Sequence, residues 1–232
     1  MNTATLEPPL AEPRQDEVFT TVADVLARLD VPPERIRLHP RPGTATVEDA
    51  VRITERKIAL CELVEDTLVE KTMGVYESWL AAELIGILRD FLKQNPFGIV
   101  TGADGMLLLE TKMLRIPDVS FISHERLPQG GLKNAPAAPL LIPDLAVEVI
   151  SEGNRPAEMD RKLREYFGHG VRLVWYVYPA TETIRACSAP TSFRDCAGDD
   201  LLLGGDVLPG FELRVADLFT GPRQAPSGEK GA

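Results

Sequence analysis

Cysteine is scarce in this sequence, and long apolar runs are absent from it. Three cysteines in 232 residues are too few and too scattered for a disulfide framework, and no Cys/His cluster suggests zinc. No apolar run approaches the roughly 20 residues of a membrane-spanning helix. The first residues carry acids and prolines but no apolar segment, unlike a signal peptide. We therefore expect a protein of the reducing cytoplasm, outside the membrane.

Motifs of common nucleotide-binding and hydrolytic sites are also missing. The sequence has no GxxxxGK[ST], GxGxxG, GxSxG or HExxH pattern, and its three histidines lie far apart. Basic residues are outnumbered, with 25 Lys and Arg against 35 Asp and Glu, for a net charge of −10. Such a chain has no general attraction for phosphate backbones. A nucleic-acid function would need a local site that is aided by metal ions.

Composition divides the chain into two tails, a helical extension and one main domain. The predicted bounds are 1–16 for a disordered tail, 17–56 for a helical N-terminal extension, 57–219 for the main domain and 220–232 for a second disordered tail. In the extension, apolar residues recur at helical spacing up to Leu29. Thr46 is a predicted N-cap for a second helix over Val47–Glu55.

The main domain alternates between strand and helix patterns. The predicted strands are 59–64, 67–72, 98–101, 105–110, 114–123, 145–151, 172–178 and 183–188, with short strands near 200–203 and 211–213, and the predicted helices are 76–93 and 156–169. This order predicts an α/β fold in which a mixed sheet is flanked by helices.

Acidic residues inside apolar strands are the most informative feature. Asp118 lies between Ile116 and Phe121, and Glu148 lies between two valines. A buried carboxylate is costly unless it is paired or binds a cation, and two such strands side by side would create a site for a divalent metal. An outward orientation at a sheet edge is the alternative. Pro117 favours an edge or a bulge, because proline donates no ladder hydrogen bond.

Helix phase singles out two further charged residues. Lys162 falls at the border of the apolar face of helix 156–169, where its stem can follow the core and its ammonium can reach buried carboxylates. An ordinary amphipathic lysine is the alternative. Glu77 is aligned with the buried face of helix 76–93, whereas Glu83 is rotated off that face. A first-turn glutamate favoured by the helix dipole is the alternative for Glu77.

Several motifs, in order, resemble the Uma-type family of "putative restriction endonucleases" within the PD-(D/E)XK nuclease superfamily. The motifs are Cys61–Lys71, Met73-Gly74, Glu77-Ser78, Ile116–Ser123, Pro143–Ser151, the set Asp160, Lys162 and Tyr166, and Gly170–Trp175. The resemblance covers about residues 57–215 and rests on their order and spacing together. It implies a restriction-endonuclease-like α/β core that is preceded by the helical extension.

The resemblance also implies roles for individual residues. Pro117-Asp118 matches the PD element and Glu148 the acidic position of (D/E)XK, while Ile150 stands where the motif has lysine. In this family the lysine has moved to the following helix, which points to Lys162, and Glu77 matches the helical acid of many superfamily nucleases.

The implied function is metal-dependent hydrolysis of phosphodiester bonds, with DNA as the expected substrate. Asp118 and Glu148 would hold Mg²⁺ or Mn²⁺ together with the backbone carbonyl of Val149, and Glu77 would assist or hold a second ion. Lys162 would orient the attacking water or stabilise developing charge. A homodimer is consistent with the superfamily. The alternative is an inactive nuclease-fold module that binds a partner, motivated by Ile150 and by the acidic composition.

Overall fold

The computed structural model of this chain describes residues 19–220. The predicted tails 1–16 and 220–232 therefore lie outside the described residues, apart from Thr220. The helices are α1 (Val22–Leu29), α2 (Val47–Glu55), α3 (Val75–Gln94), α4 (Pro156–Gly168) and α5 (Val215–Phe219). The strands are β1 (Cys61–Val64), β2 (Thr67–Glu70), β3 (Gly98–Thr101), β4 (Leu107–Glu110), β5 (Met113–Arg115), β6 (Val119–Ser123), β7 (Leu145–Val149), β8 (Leu173–Tyr178), β9 (Thr183–Ala189), β10 (Ser192–Ala197), β11 (Leu201–Leu203) and β12 (Glu212–Arg214).

Two sheets form the body of the protein. A six-stranded mixed sheet has the order β10-β9-β8-β7-β6-β3, in which only the β7–β8 pair is parallel. A four-stranded antiparallel sheet has the order β2-β1-β5-β4, and β11 and β12 form a separate ribbon. Helices cover both faces of the mixed sheet. The predicted mixed α/β fold with flanking helices is confirmed, although it contains a second sheet.

Strand β7 shows how the mixed sheet separates an apolar face from a polar one. Leu145, Val147 and Val149 pack into the core beneath α3 and α5. Ala146 points to the opposite face, which is covered by α4. Because side chains alternate along a strand, Glu148 also points to the α4 face. Its contacts with side chains of α4 agree with this orientation.

The segment that joins the two sheets departs from the sequence prediction. The single strand predicted over 114–123 is wrong, because β5 and β6 are separate strands in different sheets. The break falls at Pro117, which has no N–H to donate to a ladder. Pairing resumes at once, since the Asp118 N–H donates to the carbonyl of Val147 at 2.9 Å. This crossing places Asp118 at the junction of the two sheets.

Local signals explain the neighbouring hairpin and α2. Glu65 and Asp66 join β1 to β2 with φ of 48° and 51°, and a two-residue turn of this kind matches the twist of paired strands. The predicted cap of α2 is also present. The Thr46 side chain accepts from the Asp49 N–H, and the Asp49 carboxylate accepts from the Thr46 N–H, which completes a capping box.

The longest helix, α3, packs on the mixed sheet through one side. Its 20 residues bury Leu80, Ala81, Leu84, Leu88 and Leu92 in the core. In the part of the chain that the structure describes, no helix has the length and apolar character needed to cross a membrane.

The helical extension is attached to α4 by a buried ion pair. Arg35 donates to both oxygens of the Glu158 carboxylate at 2.9 Å each. Its remaining donors bind the backbone carbonyls of Glu70 at 2.8 Å and Gly153 at 3.2 Å. Since both side chains are almost completely buried, this pair fixes the extension against the main domain. The division into an extension and a nuclease domain stays a prediction.

Candidate active site

Asp118 and Glu148 lie side by side at the point where the sheets meet, Asp118 directly before β6 and Glu148 within β7. Val119 of β6 pairs with Val147 of β7, and continuing this register by one residue places Asp118 opposite Glu148. Both residues are buried, at 3% and 4% exposure. The Val149 N–H donates to Asp118 Oδ2 at 2.6 Å, which holds one oxygen of this carboxylate against β7.

The ammonium group of Lys71 lies between these two carboxylates. Its Nζ is 2.8 Å from Asp118 Oδ1 and 3.6 Å from Glu148 Oε2. It also donates a hydrogen bond to the backbone carbonyl of Ile116, just before the break between β5 and β6. Three oxygen atoms, one from β7 and two from the segment between β5 and β6, therefore converge on one cation.

Lys162 contacts the other oxygen of the same glutamate. Its Nζ is 3.2 Å from Glu148 Oε1 and 3.1 Å from Glu62 Oε1, and the residue is 4% exposed. The Tyr166 hydroxyl, one helical turn further along α4, donates to Glu148 Oε1 at 2.6 Å. Glu148 is thus held on one side by α4 and faces Lys71 on the other. We call these six residues the carboxylate–lysine cluster: Glu62, Lys71, Asp118, Glu148, Lys162 and Tyr166.

The electrostatic environment differs between the acids of this cluster. Burial raises the pKa of Asp118, the ammonium of Lys71 opposes that rise, and the nearby Glu148 adds to it. The pKa of Lys71 is raised as well, because its neighbouring carboxylates outweigh the effect of burial. Lys71 therefore stays protonated between two carboxylates that repel one another.

Glu62 has the opposite balance. Burial on its own would raise its pKa, but the positive charges of Lys162, Arg115 and Lys71 together lower it to about 2. The Ile116 N–H also donates to Glu62 Oε1 at 3.1 Å. Glu62 is consequently ionised, and it links Lys162 to the four-stranded sheet.

Sequence reasoning assigned no role to Glu62 or Lys71. Glu62 carries the same signal as Asp118 and Glu148, because it interrupts the apolar strand β1 between Cys61 and Leu63. Lys71 directly follows β2 and has no such signal, because its partners come from the segment before β6 and from β7, far along the chain. Only the three-dimensional packing brings it to the site.

Glu77 lies apart from the buried charges. Its half-buried carboxylate rests against Gly74, the N-cap of α3, where a β-carbon built on the glycine would lie 2.1 Å from Glu77 Oε2. Within residues 19–220, no hydrogen bond or ion pair joins it to Asp118 or Glu148. This position suits the dipole at the start of a helix. Participation of Glu77 in the site stays a prediction.

The donor set of the cluster suits a small divalent cation. Over the described range 19–220, no group of three or more His, Cys, Asp or Glu side chains is arranged to hold a metal. The oxygens that surround the Lys71 ammonium come instead from two carboxylates and the carbonyl of Ile116. Mg²⁺ is commonly held by one or two carboxylates and keeps several waters, so these donors fit it. Val149 contributes its N–H to Asp118, and its carbonyl stays a predicted ligand.

This chain is similar to one protein family and to solved structures of other proteins. The model of the Uma2 family, described as "Putative restriction endonuclease", matches residues 47–216. A crystal structure titled as a putative nuclease of DUF820 from Anabaena variabilis has 18% sequence identity and a TM-score of 0.64. The similarity covers 75% of this chain and 97% of that one, and at this identity it supports the fold alone. None of the curated proteins matches.

Proposed function

This chain belongs to the Uma2 family, and we propose that it is a metal-dependent endonuclease that hydrolyses phosphodiester bonds in DNA. The observation that carries the proposal is the convergence of Asp118, Glu148 and the Ile116 carbonyl on a single cation position. Two buried carboxylates at such a short separation repel one another, and a divalent ion of the kind that metal-dependent hydrolases use would relieve that repulsion.

The proposed ligands of Mg²⁺ or Mn²⁺ are Asp118 and Glu148. When bound, such an ion polarises the phosphate and activates water for attack. Neighbouring groups orient both proposed ligands. The Val149 N–H donates to Asp118, and Lys162 and Tyr166 donate to Glu148. Residues that orient metal ligands in this way commonly affect metal affinity or activity.

Lys162 is the proposed source of positive charge for the reaction. Its ammonium contacts Glu148 at 3.2 Å and therefore lies beside the proposed ion. In this position it can stabilise negative charge that develops on the phosphate. Participation of Glu77 stays a prediction from helix phase in the sequence, and the proposed site does not include it. Cytoplasmic location and assembly as a homodimer stay predictions from the sequence.

An acidic chain can carry this function if the positive charge is local. The net charge of −10 opposes general attraction to DNA, but a divalent ion supplies positive charge at the site where a phosphate must bind. The second candidate function is an inactive nuclease fold that binds a partner. Ile150 favours it, because this residue occupies the position of the motif lysine.

A cleavage assay separates the two functions. Supercoiled plasmid, single-stranded DNA and single-stranded RNA are incubated with the full chain and Mg²⁺ or Mn²⁺, with EDTA as the metal-free control. We expect DNA cleavage that EDTA abolishes and that is lost in Glu148→Gln but retained in Glu212→Gln, an exposed acid on β12. Metal binding without cleavage of any substrate would favour the inactive module, and cleavage of RNA alone would replace DNA as the substrate.

A further inference from the structure

Lys71 is the only lysine of the cluster that contacts the carboxylates of both Asp118 and Glu148. Its side chain is 8% exposed, and its Nζ lies 2.8 Å from Asp118 and 3.6 Å from Glu148. Lys162, by contrast, contacts Glu148 through Oε1 and shares Glu62, without contacting Asp118. The two lysines therefore contact different oxygens of Glu148. Of the two, Lys71 lies between Glu148 and Asp118, the two proposed metal ligands.

An ammonium and a divalent ion cannot occupy this position together. The same oxygens would serve both cations, and two positive charges at such short separation repel strongly in a buried site. Resting on the proposed function, we propose that Lys71 is the resident cation of the metal site. It fills the position of the divalent ion in the free protein, and it is displaced when that ion binds. Competition with Lys71 then sets the affinity for metal.

The local structure permits such a displacement without unfolding the strand. The backbone of Lys71 is fixed, because its N–H donates to the carbonyl of Leu60 at 2.8 Å. The residue lies just beyond the end of β2, and the adjacent Thr72 is exposed. A lysine ammonium is a point charge on a flexible four-carbon stem, so rotation of the side chain alone can move it from the carboxylates toward solvent.

The residue that stays in place is Lys162. It lies within α4, where its helical position and its contact with Glu62 at 3.1 Å keep it buried. Tyr166 donates to the same oxygen of Glu148 that Lys162 contacts. A divalent ion bound on the Oε2 side would leave these contacts intact. Lys162 is therefore the matched control for Lys71, since both lysines are buried and both contact Glu148.

Titration with Mn²⁺ in the absence of nucleic acid tests the competition. Affinity is measured by calorimetry for the full-length wild type, Lys71→Met and Lys162→Met. We expect Lys71→Met to bind Mn²⁺ at least about tenfold more tightly than the wild type, and Lys162→Met to change the affinity by less. Equal affinity in wild type and Lys71→Met, a larger gain in Lys162→Met, or no binding by the wild type or Lys71→Met would overturn the proposal.

Chemical labelling of the wild type keeps the proposal testable if Lys71→Met does not fold. Lysines are reductively methylated with and without saturating Mg²⁺, and the modified peptides are measured by mass spectrometry. We expect methylation of Lys71 to rise several-fold with Mg²⁺, while Lys162 stays protected and Lys93, 72% exposed, reacts equally in both conditions. Protection of Lys71 at saturating Mg²⁺ would overturn the proposal.

Neither measurement depends on cleavage, so this proposal and the nuclease proposal can fail separately. If the protein binds Mn²⁺ and Lys71 becomes reactive, but no nucleic acid is cut, the proposed nuclease function is contradicted. The proposal that Lys71 occupies the metal position in the free protein is then supported. A protein that cuts DNA while Lys71→Met leaves the Mn²⁺ affinity unchanged contradicts the resident cation alone.

Discussion

Helix α4 borders two groups of buried charges that are built differently. At the start of the helix, Glu158 forms two hydrogen bonds of 2.9 Å with the guanidinium of Arg35. One turn further along, the carboxylate–lysine cluster places Glu148 between Lys162 at 3.2 Å and Lys71 at 3.6 Å. The planar arginine fork fixes its partner in two places, whereas an ammonium is a mobile point charge. The Arg35–Glu158 pair is therefore suited to holding elements together, and the cluster to exchanging a cation.

The balance of charge supports the same distinction. The Arg35–Glu158 pair is neutral, and its remaining donors bind backbone carbonyls. The cluster has three carboxylates and two ammonium groups, with Arg115 shared between Glu62 and Glu165. Replacing the ammonium of Lys71 by a divalent ion adds one positive charge to a site that has an excess of acid. Buried charges therefore indicate a metal site only when a cation among them can be replaced by a metal ion.

Neutralising one glutamate in each group gives the sharpest test of this comparison. We expect Glu148→Gln to lower Mg²⁺-dependent cleavage by about 1,000-fold, because it weakens the electrostatic stabilisation of the transition state. Glu158→Gln, measured below its melting temperature, should lose less than about tenfold, since its carboxylate is hydrogen-bonded to Arg35 and not to the cluster. Rates are measured on the same plasmid substrate. Comparable losses of cleavage rate in the two variants would contradict the proposal that the cluster, and not the Arg35–Glu158 pair, carries the activity.

Removing the arginine should affect stability more than activity. Arg35→Met leaves Glu158 buried without its cation, so we expect the free energy of unfolding to fall by about 3–5 kcal/mol. Adding Glu158→Gln should restore part of this loss, because no unpaired charge then remains. Urea denaturation followed by circular dichroism gives the values. The control is Arg28→Met, which breaks a partly exposed ion pair with Glu65 and should cost about 1 kcal/mol or less. A cost for Arg35→Met as small as that of the control would contradict the structural role.

Sequence patterns predicted most of the fold where they carried an explicit signal. The capped start of α2 at Thr46 and the apolar stripe of α3 gave bounds within one residue of those observed. Strand β10 was missed because only Cys196 of its residues is buried, which leaves no apolar alternation to read. The change of sheet at Pro117 was missed because hydrophobicity continues across it, and the sheet that each strand joins depends on distant pairing.

The candidate site was partly accessible from sequence for a related reason. Asp118, Glu148 and Lys162 each place a charge where the pattern calls for burial, and the structure brings these three residues into one cluster through Lys71 and Glu148. Lys71 shows no such conflict. Its importance arises from contacts across almost 50 and 80 residues of sequence, which no local pattern contains.

The pH dependence of stability tests the contribution of the Glu62 carboxylate to the cluster. Its pKa of about 2 lies below the ordinary 4.5, so its contribution to stability is present above about pH 4.5 and is lost as the pH falls toward about 2. At about 1.4 kcal/mol per pKa unit, the contribution is about 3 kcal/mol. We expect Glu62→Gln to be less stable than wild type near neutral pH and to lose less stability on acidification. Urea denaturation at several pH values checks this, with Glu212→Gln as the exposed control. Parallel pH profiles for wild type and Glu62→Gln would contradict it.

The next effect concerns the lysine that stays in the cluster. We expect Lys162→Met to reduce cleavage by about 100-fold, because the positive charge beside Glu148 is lost. Binding of Mn²⁺ should persist, since a protonated lysine has no lone pair to offer a metal. Cleavage rates and Mn²⁺ titrations are compared with those of Lys112→Met, an exposed lysine. If Lys162→Met cleaves at the wild-type rate, Lys162 has no role in the reaction. If it no longer binds Mn²⁺, Lys162 is needed for the structure of the site.

The smallest effect is expected at Glu77, which lies outside both groups of buried charges. Its carboxylate rests against Gly74 at the start of α3, where a negative charge stabilises the helix by about 0.3–1 kcal/mol. Glu77→Gln should therefore lower the melting temperature slightly and should leave cleavage close to that of Glu83→Gln, a half-buried acid on the same helix. Helix phase from the sequence predicts something different, because it aligns Glu77 with the buried face and with the proposed metal. A loss of Mg²⁺-dependent cleavage in Glu77→Gln that is absent from Glu83→Gln would confirm that prediction, and it would mean that α3 moves Glu77 toward Asp118 and Glu148 when the ion binds.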